Sequence, residues 1–188
     1  LDLEGYRFAE GEGLAKQVKE FFERPHPDIG LDFKPRQHGV GIQEALNCFL
    51  DRDDRGSLQN LVDNVAHSRV LLLILSKNLM DSPWCMLELL SAVMNKVPVV
   101  LFQLEGHPII GKFGETLEKM RFPDAAILKS IKVVKHSKDE FDVKMARLAE
   151  RFLEHIAERV QPKPVVPSGQ VYAEFEALRE RRNAAFPA

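Results

Sequence analysis

The chain has 188 residues, 45% apolar and 29% charged, which fits one folded domain with an appendage and is too apolar for disorder. Its 26 Lys and Arg against 28 Asp and Glu leave a net charge of −2, so there is no basic field for wrapping nucleic acid. The longest apolar run, residues 70–75, is far too short for a membrane span, and two cysteines without CxxC spacing, Cys48 and Cys85, make no disulfide framework. With no signal peptide the chain reads as cytoplasmic; lacking an initiator Met, it reads as a fragment of a longer protein.

In chain order, residues 1–6 are expected to form a short strand and residues 13–23 a helix carrying Leu14, Val18, Phe21 and Phe22. Residues 25–45, with Pro25, Pro27, Pro35 and several glycines, read as an irregular insertion. Residues 46–50, ending in Asp51, are a candidate strand, although Ile42, Leu46, Phe49 and Leu50 also fit a helical period. Ser57 can cap a helix with Leu58, Leu61, Val62 and Val65 on one face. Residues 69–76 (Arg-Val-Leu-Leu-Leu-Ile-Leu-Ser) are continuously apolar without alternation, as in a strand of a parallel sheet covered on both faces. Residues 97–102 look the same, with Pro98 tolerable only near the strand start.

Between these strands, residues 84–96 form a helix that is apolar almost all round and therefore buried. Residues 107–120 end in a short helical stretch through Leu117, and residues 131–134 are a weaker strand. Ser137 and Glu140 then form an S-x-x-E capping box for a long helix with Phe141, Met145, Leu148, Phe152 and Ile156. Strand and helix alternate, which predicts an open, mostly parallel α/β sheet. The expected organisation is a domain over residues 1–160, a Pro-rich linker over 161–170 and a helical tail over 171–188, with Val171, Phe175 and Leu178 on one stripe. No internal repeat is visible.

Several kinds of site are absent from the sequence. The six histidines share no metal-ligand spacing with Cys or acids, so no metal is expected. No G-x-S-x-G or P-loop occurs, and Gly11-Glu12-Gly13 is too short and ill-placed for a dinucleotide fingerprint. The Arg179–Arg182 run reads as a solvated helix face. Asp51-Arg52-Asp53 after an apolar run resembles the opening of the haloacid-dehalogenase phosphatase signature, with Ser76 in the place of its second motif. The later acidic pair that would hold Mg2+ is missing, because Val133-Val134 is followed by Lys135-His136.

One acid stands apart. Glu88 is the only one between Trp84 and Asn95, on a segment of Leu, Met, Val and Ala. A carboxylate there is costly unless it faces a cleft or a partner. Trp84, four residues earlier, shares its helical face and could stack on a base or ring, or plug the core. Cys85 is read as small-residue packing facing the sheet.

Phe49-Leu50-Asp51, Gly56, Ser68-Arg69, Ser76 and Ser82-Pro83-Trp84-Cys85-Met86-Leu87-Glu88-Leu89 together resemble the TIR domain family, over roughly residues 1–160 and most strongly over 49–104. The first strand departs from the family pattern, since Leu3-Glu4-Gly5-Tyr6-Arg7 carries Glu4 and Gly5 inside its apolar run. The resemblance implies a flavodoxin-like fold and, for its enzymatic members, cleavage of NAD+ at the nicotinamide–ribose bond to give nicotinamide and linear or cyclic ADP-ribose. NAD+ would be the substrate, with no further cofactor, and self-association through TIR–TIR contacts would switch the activity on. It implies Glu88 as the catalytic residue, Trp84, Tyr6 and Arg7 as nucleotide contacts, and Asp51 and Arg52 bordering the cleft. The alternative it leaves open is a signalling adaptor that binds other TIR domains and catalyses nothing.

Overall fold

The computed structural model describes residues 9–22, 58–76, 79–103, 110–135, 139–158 and 165–187. In chain order they form α1 (Ala9–Phe22), α2 (Leu58–His67), β1 (Leu71–Leu75), α3 (Pro83–Met94), β2 (Val99–Gln103), α4 (Ile110–Lys119), α5 (Ala125–Ser130), β3 (Val133–Lys135), α6 (Phe141–Glu158) and α7 (Ser168–Ala185). A 3-10 turn, Leu79–Asp81, joins β1 to α3. The expected strands at 1–6 and 46–50, the 25–45 insertion and the capping Ser57 lie outside the described residues.

The strands pair in parallel in the order β1-β2-β3, with Leu71 opposite Val99, Leu73 opposite Leu101, and Leu101 opposite Val133. Their apolar runs are continuous because each face has its own core. Leu73, Leu75, Val99 and Leu101 point into one, with residues of α2, α3, α4, α5 and α7. Val100, Phe102 and Val134 point into the other, with α1 and α6, and Leu72 and Ile74 pack against it. There Phe22 stacks at a tilt on Phe152, ring centroids 5.0 Å apart. The expected parallel α/β sandwich is therefore present among the described residues.

Several boundaries move for local reasons. The second strand starts at Val99 rather than 97: Pro98 has no N–H for the ladder, and its carbonyl instead accepts from the Leu71 N–H at 2.8 Å. The third strand is Val133–Lys135 rather than 131–134. Helix α6 starts at Phe141, so Glu140 is not the third helical residue that a capping box requires. Its carbonyl accepts the first helical bond from Lys144 N–H, and its carboxylate pairs with the Lys144 ammonium at 2.7 Å, which holds that carboxyl below the usual range. Helix α7 begins at Ser168, inside the expected linker, because Pro167 fixes its own φ and its carbonyl accepts from Gln170 and Val171. Helix α5 has no counterpart in the sequence reading.

Candidate functional site

Helix α3 leaves the C-terminal edge of β1 through the 3-10 turn, so its N-terminus lies where open parallel sheets bind ligands. Local residues set its start: Pro83 fits the first turn, and the Ser82 hydroxyl, buried at 1% exposure, accepts from the Cys85 N–H at 3.2 Å. Its end is a Schellman motif. The Val97 N–H reaches the Ala92 carbonyl at 2.8 Å and the Lys96 N–H reaches Val93, with Lys96 left-handed at φ 54°.

Met86, Leu87, Leu89, Leu90, Ser91 and Ala92 are buried, as the apolar character of the segment predicts. The Ser91 hydroxyl donates to the Val62 carbonyl at 2.9 Å and so ties α3 to α2. Trp84, Cys85 and Glu88 are half-buried rather than buried. Glu88 sits five residues past Pro83, about 7.5 Å along the axis. Trp84 and Cys85 both pack against the α3-side core, so the indole plugs the core with one part and stays open with another. Of the predicted site residues, Trp84 and Glu88 share one face of α3; Tyr6, Arg7, Asp51 and Arg52 lie outside the described residues.

Sequence reasoning missed the residues that hold α3 in place. Asn95, 5% exposed, donates from Nδ2 to the Ser91 carbonyl at 2.9 Å and accepts at Oδ1 from the Val166 N–H at 2.7 Å. That bond pins the entry to α7 against the far end of α3. At the near end, Arg182 of α7 pairs with Asp81 at 2.6 Å, and Arg181 donates to the Met120 carbonyl at 3.0 Å. Helix α7 therefore runs antiparallel along α3, burying Val171, Phe175 and Leu178. The only advance signal was their stripe. Tyr172 carries a strain of its own: its hydroxyl oxygen is out of solvent with no hydrogen-bond partner among the described residues. Burial, and then the nearby Asp63 charge, raise its pKa above the ordinary phenol value.

Among the described residues no group of three or more His, Cys, Asp and Glu is arranged to hold a metal, and no helix is long and apolar enough to cross a membrane. A parallel sheet with helices on both faces, and a helix carrying Trp-Cys-x-x-Glu that starts from the sheet's C-terminal edge, define an open parallel α/β domain. The family model described as the TIR domain matches residues 38–178, and the chain belongs to that family. The match differs at both ends from the resemblance expected over roughly residues 1–160: it begins at 38, and it runs past 160 into α7, which shares the core of α2 and α3. Comparison with curated proteins and with solved structures gave no significant match.

Proposed function

We propose that this TIR domain cleaves NAD+ at the nicotinamide–ribose bond, with Glu88 as the catalytic carboxylate and self-association as the switch. The observation that carries the reading is the pairing of a half-buried Glu88 with a half-buried Trp84 on one face of α3, on the helix that begins at the sheet's C-terminal edge. The chemistry suits so spare a site. As the bond breaks, positive charge grows on the ribose and an oxocarbenium-like state forms. Nicotinamide leaves neutral, so no acid need protonate it. A carboxylate near the ribose hydroxyls then orients the sugar and opposes the developing charge. Water, or a nitrogen of the adenine, then bonds to the ribose carbon that nicotinamide leaves and gives up a proton to solvent, yielding the linear or cyclic product. Trp84 would stack on a ring of the dinucleotide, with Tyr6 and Arg7 as further contacts and Asp51 and Arg52 at the cleft border.

Nicotinamide release from NAD+, followed over a range of protein concentrations, tests this. The expected result is release that rises faster than in proportion to concentration and is lost in Glu88→Ala. No release at any concentration would leave the non-catalytic adaptor, whose fold is the same. Release that persists in Glu88→Ala would keep the activity and remove this residue from it.

A further inference from the structure

At the edge of the sheet opposite the start of α3 lies an open groove of about 540 Å³, within the range of small-ligand sites. Its apolar floor comes from Val97, Ile127 and Ile131, where the α3–β2 turn, α5 and the approach to β3 converge. Ile127 is 62% exposed there, the most exposed of the large apolar side chains among the described residues. The lining also carries charge. Lys96, Lys132 and Arg151 stand against Asp124 and Glu154, a balance of +1 with His155 neutral, in a chain whose net charge is −2.

Those charges are not equivalent. Arg151 and Glu154 neutralise each other through a 2.9 Å bond on successive turns of α6. Among the described residues, Lys96 and Lys132 have no ion-pair partner. Lys96 is also held in the left-handed region at φ 54°, at the helix-end position where glycine is the favoured residue. Asp124, at φ 52° before α5, makes no side-chain capping bond. Two left-handed residues, one cationic and one anionic, thus frame the apolar floor.

We infer that this groove binds a small organic anion with a flat apolar body. The body lies over Val97, Ile127 and Ile131, and the anionic group is met by Lys96 and Lys132. Asp124 disfavours a ligand with a second negative group, so the class is a monoanion such as an aryl sulfonate or carboxylate. The site is separate from the proposed catalytic face: Glu88 lies six helical residues, about 9 Å, before the end of α3 at Met94, and Lys96 comes two residues beyond that end. The inference therefore stands whether or not NAD+ is cleaved.

The probe is 8-anilinonaphthalene-1-sulfonate, titrated by fluorescence into the whole chain, Lys96→Gly/Lys132→Gln and Ile127→Asp. Each variant's helical content and melting are recorded by circular dichroism. We expect saturable one-site binding, weakened about tenfold by the lysine variant, as loss of charge-assisted bonds predicts, and abolished by Ile127→Asp. Neutral N-phenyl-1-naphthylamine should bind the unaltered chain about as weakly as the sulfonate binds the lysine variant. Lys96→Gly suits the left-handed backbone, so loss of binding there is not loss of fold. No saturable binding, a change under threefold in the lysine variant, or an affinity that shifts with protein concentration would overturn the inference; the last would mark the groove as a contact between copies.

Discussion

Lys96 and Arg121 occupy the same position at the ends of two helices, each left-handed, at φ 54° and φ 51°. Both close Schellman motifs, since Val97 reaches Ala92 and Phe122 reaches Leu117. A side chain with a Cβ is strained in that region, so Lys96→Gly should raise stability by about 1 kcal/mol in urea unfolding. Tyr172 offers the opposite kind of flaw, a hydroxyl taken out of water without a hydrogen-bond partner among the described residues. Tyr172→Phe should be neutral or stabilising by up to about 1 kcal/mol. Its pKa is raised in the folded chain, so the stability it contributes is fully present below the unfolded value near 10.0 and is lost as pH rises through the folded value. Melting temperature measured from pH 8 to pH 11 should therefore fall less steeply in Tyr172→Phe than in the unaltered chain. Neither residue stood out in the sequence, because a left-handed φ and an unmet hydroxyl are properties of tertiary context.

Among the elements, β1 and β2 were legible because both faces are covered, which leaves unbroken apolar runs such as Leu-Leu-Leu-Ile-Leu. Helix α3 is legible over residues 84–96 from its apolar character, but the Ser82 cap and the start at Pro83 come from the structure, as does its end at Met94. Helix α5 was not legible: its six residues are too few for a helical period, and only the Pro123-Asp124 turn before them marks a new element. Helix α7 is legible as a helix but not as part of the core, since a three-residue stripe does not say what it covers. It covers α2 and α3, and its attachment is testable at two points. Leu178, 1% exposed, should cost about 2–5 kcal/mol when replaced by Ala. Asn95→Ala leaves the Val166 N–H and the Ser91 carbonyl without the amide they share, and should cost about 1–3 kcal/mol. Urea unfolding measures both. If either change were silent, α7 would be a loosely attached tail after all.

For the whole molecule, the fold class came from alternation of strand and helix, whereas the site came from a local motif on one helix. Glu88 was conspicuous as the one acid in an apolar segment, and the structure leaves it half-buried beside Trp84 on that helix. The residues expected to complete the cleft come from stretches before α2, outside the described residues. The sequence therefore carries the fold more fully than the site. Glu88→Gln tests the proposed cleavage better than a truncation, because it keeps the side chain's shape and removes only its charge. Nicotinamide released from NAD+ should be compared between the unaltered chain and Glu88→Gln, at matched concentration and with matching circular dichroism spectra. Loss of the charge that opposes an oxocarbenium-like state predicts a fall of about 100-fold or more; equal rates of release from the two proteins would contradict it.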